Sequence, residues 1–409
     1  MILKEVIEMK SRVIRSLMSV VLAVSVLCMG TGCSSDTKSD VKNTNDKNSS
    51  VSENADEQKT DSNASDSQTA SGTITVTDHS GNVVEVPSDI ERIVITDPFP
   101  LPSVLSVFFD SADKIVGMPP QSMSAAKNSI LSELYPEILD ASTDFSGESG
   151  INIEELITLD PDVVFYSAGS ADTQKKLESA GIPAVAVSAS KWEYDAPETL
   201  ENWLDLLKQM FPENNRGDKY REYTEKIESL VNEKTKDLSE KDKENVMFLF
   251  QYSESSITTS GKHFFGDYWA NAAGAKNAGS EIDKENAAPV NMEQVYEWDP
   301  TVIFITNYTT AQPDDIYGNS IGSYDWSGIK AVQNKRVYKM PLGMYRSYTP
   351  GIDSPVTLLW LAKTIYPEKF ADVDITEETK KYYKEIFDID LTDEQAEKIF
   401  KPAKQASAY

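Results

Sequence analysis

Apolar and polar positions divide the chain into three regimes. Residues 17–29 are apolar apart from Ser19 and Ser25. Residues 34–72 hold no aromatic residue, Leu, Ile or Met and are dominated by Ser, Asp, Asn, Lys and Thr. Beyond residue 73, short β-branched runs alternate with stretches in which apolar residues recur every three or four positions. The runs at 73–76 and 83–86 flank His79-Ser80-Gly81-Asn82 and predict a hairpin. Strands are expected at 92–96, 114–118, 162–167 and 184–189, alternating with helical stretches such as 171–180. The second half repeats the scheme, with strands near 245–252, 301–307 and 336–340 and helices near 264–273, 354–364 and 376–387. The alternation implies two α/β lobes, each with a parallel or mixed sheet covered on its faces.

A repeat links the halves. Asn152-Ile-Glu-Glu-Leu-Ile-Thr-Leu-Asp-Pro-Asp-Val-Val-Phe165 aligns without gaps with Asn291-Met-Glu-Gln-Val-Tyr-Glu-Trp-Asp-Pro-Thr-Val-Ile-Phe304. Each copy opens with Asn and carries Glu155 or Gln294 three residues later, the pattern of a helix capping box. Each then shows a helical apolar stripe, breaks at Asp-Pro and enters a β-branched run, so one helix–break–strand unit is used twice.

Between the halves, residues 197–242 have no strand pattern, and their helical periodicity is interrupted near 211–215. The part from 216 to 238 predicts a helix of roughly 34 Å at 1.5 Å per residue. A single stiff crossing of this kind predicts limited closure of the lobes. The division expected is therefore a leader at 1–32, Cys33 with a tether to 72, a first lobe at 73–195, a helical bridge at 196–242 and a second lobe at 243–409.

Composition narrows the chemistry. The 409 residues suit two or three domains of about 150 residues each, and 40% apolar content is enough for real cores. Sixty-six acidic against 39 basic residues leave a net charge of −27, which repels phosphate backbones and makes nucleic acid a poor partner. Two cysteines and two histidines exclude a disulfide framework and Cys/His zinc sites. Lys10, Arg12 and Arg15 before the apolar run mark a secretory signal, with Met1 or Met9 as its start. The run is too short for the roughly 20 residues of a membrane-spanning helix. Its ending, Gly30-Thr31-Gly32-Cys33, resembles the bacterial lipobox, with Gly30 where an aliphatic residue is usual. Acylation of Cys33 is the expectation; cleavage that leaves a free thiol is the other reading. Residues 34–72 would then be a flexible tether reaching roughly 35 Å.

Ligands of open α/β sheets gather beyond the carboxyl ends of the strands. The residues there are unusually aromatic, and Phe99, Trp192, Tyr194, Tyr252, Tyr308, Tyr345 and Tyr348 are the candidate pocket wall. Arg346, between two of these tyrosines, would supply positive charge to an anionic or oxygen-rich group. A bare metal ion would want converging His and carboxylate ligands, and only His263 stands near the expected cleft, so no direct metal site is assigned. An enzyme is the rival class. Gly318-Asn-Ser-Ile-Gly322 matches the G-x-S-x-G pattern, with Ser320 as nucleophile and His263 as base. The flanking residues suit neither the strand nor the helix that such an elbow needs, and His263 precedes Ser320 in the chain.

The segments Thr77 to Pro87, Lys114-Ile-Val-Gly117, Asn152 to Phe165, Thr259-Ser-Gly-Lys262, Asn291 to Phe304 and Ser354 to Lys363 together resemble the substrate-binding lipoproteins of iron-complex and cobalamin ABC importers. The resemblance implies two Rossmann-like lobes joined by one bridging helix, no catalysis and no intrinsic cofactor. It implies a monomer on the outer face of the membrane, serving a permease dimer. It also implies a metal chelate as ligand: a ferric siderophore first, a corrinoid or haem as the alternative. The family's pair of permease-contacting glutamates corresponds to Glu154 and Glu293.

Overall fold

The computed structural model describes residues 72–147 and 150–407. The leader, Cys33 and the tether up to residue 71 lie outside them.

The chain enters through the hairpin β1 (Thr73–Thr77) and β2 (Val83–Pro87), paired antiparallel. Its turn closes on Asp78, whose Oδ1 accepts the Ser80 and Asn82 N–H groups at 2.9 and 2.8 Å, while Gly81 supplies the positive φ of 84°. Then come β3 (Ile93–Ile95), β4 (Ile115–Gly117), the two-residue pair β5 (Ser146–Gly147) and β6 (Gly150–Ile151), β7 (Val163–Ser167) and β8 (Ala184–Val187). Four of these form a parallel sheet in the order β4-β3-β7-β8.

The second lobe holds β9 (Asn245–Ser253), β10 (Ser256–Ser260), β11 (Lys276–Asn277), β12 (Ala287–Val290), β13 (Val302–Ile305) and β14 (Val337–Lys339). Its sheet runs β12-β10-β9-β13-β14, with β11 beside the start of β9. The β9-β13-β14 part is parallel and β10 is antiparallel to both its neighbours. The central strands β3, β7 and β13 are buried on both faces, as their β-branched runs require. Val246, Phe248, Val302 and Phe304 share the largest core with Ile93, Ile95, Val163 and Phe165 of the first lobe, whereas Met247, Leu249, Ile303 and Ile305 face a separate cluster.

The predicted strands and helices form, with ends within three residues of those expected. Five short strands were not predicted, the two-residue β5, β6 and β11 together with β10 (Ser-Ile-Thr-Thr-Ser) and β12 (Ala-Ala-Pro-Val), because short runs with few bulky apolar residues carry little signal. The repeat folds as one unit twice. Its helices are Ile153–Thr158 and Met292–Trp298, and its breaking residues Asp160 and Asp299 both adopt left-handed backbone, at φ 46° and 42°. The residue after each proline then donates to the strand ahead, Asp162 N–H to Arg92 and Thr301 N–H to Asn245, both at 2.8 Å. The capping box is complete only in the second copy. In the first, the Asn152 side chain accepts from Glu154 and Glu155, but its own N–H goes to the Phe145 carbonyl at 2.8 Å, so Glu155 has nothing to return to.

Residues 196–242 form two helices, Ala196–Met210 and Arg216–Thr235, the second ending three residues before the expected 238. Its buried stripe is Tyr220, Tyr223, Thr224, Ile227, Val231 and Thr235. At its start Asn214 donates to Phe108 at 2.6 Å and Arg216 to Val107, both in the first lobe. At its end Lys234 pairs with Asp372 at 2.8 Å, and Thr235 lies against Gly274, both in the second.

Candidate functional site

The second lobe's rim is built from two loops, 306–311 after β13 and 341–349 after β14. The Asn307 amide ties them together by donating to the Met340 and Pro341 carbonyls at 2.9 and 2.8 Å. From β14, the Lys339 ammonium donates to the carbonyls of Thr306, Thr309 and Ala311 at 2.9, 2.6 and 2.9 Å. Burial, and then the charge of Arg346, push this lysine down to about 7. Arg346 is only 1% exposed. Its guanidinium carbon lies 4.9 Å from the Tyr308 ring centre and 5.9 Å from that of Tyr345, and the Tyr308 hydroxyl donates to Thr349 at 3.4 Å.

The 341–349 loop is pinned from below. Asp353 accepts the Met344 N–H at 2.8 Å and the Tyr383 hydroxyl. A side chain at Gly343 would collide with that carboxylate, which is why the loop needs glycine there. Burial raises Asp353 to about 6, and the Tyr383 and Met344 bonds oppose the rise. Tyr348 is fully buried; its carbonyl accepts the Trp269 indole N–H at 2.9 Å, and its hydroxyl oxygen accepts the Gly266 N–H at 3.0 Å.

The first lobe contributes a different chemistry. Burial raises Asp97 to about 6, and the neighbouring Phe99 is half-buried, its carbonyl accepting the Ser122 hydroxyl at 2.6 Å. Trp192 packs edge-on against His79 with ring centres 4.9 Å apart. His79 Nδ1 accepts the Ser188 N–H at 3.1 Å, so the ring proton is on Nε2 and points to the Asn202 carbonyl at 3.3 Å. Burial lowers this histidine to about 4 and keeps it neutral, so the hairpin turn acts as a prop for the 188–192 loop. Glu193 and Tyr194 follow at φ 51° and 59°, and this kink carries Tyr194 to the second lobe, edge-on to Phe264 at 5.2 Å and Phe265 at 4.9 Å. From Phe264 the rings continue to Phe250 at 5.6 Å and Tyr308 at 5.1 Å, so an aromatic row leads from the seam between the lobes to Arg346.

The expected single aromatic pocket is therefore divided. Tyr308, Tyr345 and Arg346 come together, Tyr348 underlies them, and Tyr194 joins through the ring row. Trp192 instead lines a cavity of about 570 Å³ between the lobes, with Glu193, Asp195 and Glu198 on one side and His263 and Asp267 on the other. Asp195 is raised to about 7 there, by burial first and then by the nearby carboxylates Glu228, Glu198 and Glu201. Tyr252 is buried, with its hydroxyl donating to Ile321 at 2.9 Å and accepting the Trp326 indole N–H at 3.0 Å, and it borders Tyr308, Thr309 and Ser407 in a separate cavity of about 510 Å³. Phe99 stays on the first lobe's rim. Glu154 and Glu293 are exposed, each the second residue of its helix.

The hydrolase pattern does not form an elbow. Ser320 follows the helix Pro313–Tyr317 rather than a strand, and its hydroxyl donates to Asp315 at 2.7 Å. His263 lines the interlobe cavity. Among the described residues no three His, Cys, Asp or Glu side chains converge as a metal site.

Two features were missed from sequence. Lys339 reads as an ordinary polar end to β14, and only the tertiary fold buries it beside Arg346. The C-terminal tail also returns to the rim: the short 3-10 helix Lys404–Ser407 packs against Pro120–Ala126 of the first lobe, and the buried Ser407 hydroxyl donates to Asn307 at 3.4 Å. The signal for the preceding helix, Asp393–Phe400, was legible in the Thr392/Gln395 capping box.

Residues 93–342 match the periplasmic binding protein family, and the chain belongs to it. It is 25% identical over 336 residues to the molybdate-binding protein MolA of Haemophilus influenzae, covering 76% of this chain and 90% of that protein. It is also 25% identical over 304 residues to the uncharacterized ABC transporter substrate-binding lipoprotein YvrC of Bacillus subtilis, covering 73% and 87%. The crystal structure of a periplasmic solute binding protein from Veillonella parvula superposes with a TM-score of 0.71 at 29% identity, over 81% of this chain and 97% of that one. The chain is thus an extracytoplasmic substrate-binding protein of an ABC importer, which takes a small ligand and works with a membrane permease. Among the described residues no helix is long and apolar enough to cross a membrane.

Proposed function

We propose that the ligand is a compact, oxygen-rich anion of the molybdate class, held at the second lobe's rim by Arg346 with Tyr308, Tyr345 and Thr349. One observation carries the reading: Arg346 and Lys339, 1% and 7% exposed, are buried near each other behind Tyr308. Burial first, and then the charge of Arg346, makes a charged Lys339 costly here, and a bound anion would offset that cost for both side chains. A guanidinium suits bidentate oxygen ligands, and the flanking hydroxyls add donors. The near-complete burial of Arg346 favours a small anion over a bulky chelate, since a large ligand would need the tyrosines to move aside. That MolA is named for molybdate binding agrees with this choice.

A ferric siderophore is the second reading, supported by the aromatic row from Tyr194 to Tyr308, a platform for flat chelating arms. Anchoring through an acylated Cys33 agrees with the lipoprotein relative, and Glu154 and Glu293 are proposed as the permease contacts.

Calorimetric titration of the protein with molybdate, sulfate, a ferric siderophore, haemin and cobalamin tests the ligand class. Saturable, submicromolar heat with molybdate and a weaker response to sulfate is expected. Binding of a ferric siderophore alone would move the second reading to first place; binding of haemin or cobalamin alone would contradict both.

A further inference from the structure

We propose that the permease-facing surface is an acidic and apolar pair used twice, Glu154 with Ile157 in the first lobe and Glu293 with Tyr296 in the second. This rests on the reading of the two glutamates as permease contacts and adds the apolar half of the interface.

Among the described residues four large apolar side chains stand exposed: Val83 at 70%, Leu139 at 39%, Ile157 at 50% and Tyr296 at 43%. Two of these four occupy the same position of the repeat, five residues after Asn152 and five after Asn291. The inward side of each helix is already filled by Leu156 and Val295, both 0% exposed, so the core places no demand on the outer position. A single exposed apolar residue is ordinary on a protein surface; its recurrence at the same position of both copies is what points to an occupant outside the chain.

Glu154 and Ile157, like Glu293 and Tyr296, are three residues apart, which puts each pair on one helix face. The two helices feed equivalent strands: β7 lies between β3 and β8, and β13 between β9 and β14, all parallel. Each lobe therefore presents the same pair in the same relation to its own sheet, which fits a partner with two-fold symmetry. Glu155 and Glu297 add exposed negative charge nearby, so the complementary surface is basic.

The energetics explain why both halves are needed. Exposed ion pairs contribute little affinity, whereas an apolar or aromatic side chain that becomes buried at an interface contributes much. Tyr296 suits that role because it is preorganised: its hydroxyl donates to the Asp325 carbonyl, and its ring lies beside Gly328.

The test places a photoreactive phenylalanine analogue at Thr158 or Glu297 of the full chain in its host cells and measures crosslink yield to a polytopic membrane protein. Ile157→Ser with Tyr296→Ser is expected to lower the yield about tenfold, the loss of a buried anchor, without changing thermal unfolding. Tyr296→Phe, which keeps the ring but loses the hydroxyl's bond to Asp325, should retain most of the wild-type yield. If Glu154→Lys with Glu293→Lys lowers the yield but the double serine variant does not, the apolar half is overturned and the glutamate reading stands. If neither pair matters, or no polytopic protein is captured, both fall.

Discussion

The two copies of the helix–strand unit are alike at one end and unlike at the other. At the helical end both have an Asn cap, an exposed glutamate in the first turn, an exposed apolar residue three positions on and a left-handed Asp before proline. At the carboxyl ends of the strands the lobes part company. The second lobe sets the buried cations Arg346 and Lys339 among tyrosines, whereas the first presents Asp97 and Trp192 and leads to the partly buried Asp195. A duplicated end suits a symmetric partner; a divergent end suits a ligand held mainly by one lobe. The unit can thus serve two constraints because they fall on different segments of it, the helix before the strand and the loop after it.

The largest expected effect breaks the ligand end alone. Asp353→Ala strands the Met344 N–H and the Tyr383 hydroxyl in the interior, at about 1–3 kcal/mol each. Thermal unfolding should fall sharply and the 341–349 loop should lose its ligand.

The acidic side of the comparison is tested by pH. Folding raises Asp195 from its ordinary 3.8 to about 7, so between those values the folded state holds a proton that the unfolded state has lost. Stability contributed through this group therefore falls as pH rises through that window. Asp195→Asn, which can keep the helix cap to Glu198 N–H, should raise stability at pH 8 by about 1 kcal/mol or more and change little at pH 4. An equal effect at both pH values would contradict the burial account.

A finer comparison sets the two caps side by side. Asn291→Ala and Asn152→Ala should each cost about 1 kcal/mol. The loss should be larger for Asn152, whose side chain accepts from both Glu154 and Glu155, than for Asn291, whose side chain accepts from Gln294 alone and whose backbone bond to the Gln294 side chain survives the change, as measured by denaturant midpoints. Smallest in stability is removal of residues 401–409. It removes the buried Ala406 and Ser407, so it should lower the unfolding temperature slightly while speeding ligand association in stopped-flow mixing, because the tail lies on the rim beside Asn307.

Much of this architecture was legible from residues 73 onward because β-branched runs, Asp-Pro breaks and Asn caps act locally. Residues 171–180 were read to their ends. The aromatic rim was legible as a set of residues but not as an arrangement. Nothing local distinguishes Tyr252, which hydrogen-bonds into a core, from Tyr308, which roofs Arg346. The burial of Lys339 and the return of residues 404–407 depend on contacts between segments far apart in sequence, and periodicity carries no record of those. The capping box of the first copy failed for the same reason: Phe145, outside the repeat, takes the N–H that Glu155 would have used.

The account's central claim is that the ligand's charge is met at Arg346. Calorimetry of Arg346→Gln against the wild type, both checked for equal thermal unfolding, tests it most directly. Loss of the molybdate heat, with crosslinking from Thr158 and Glu297 intact, is the predicted result. Undiminished molybdate affinity in the folded variant would contradict it and move the ligand elsewhere, with the cavity beside Trp192 as the next place to look.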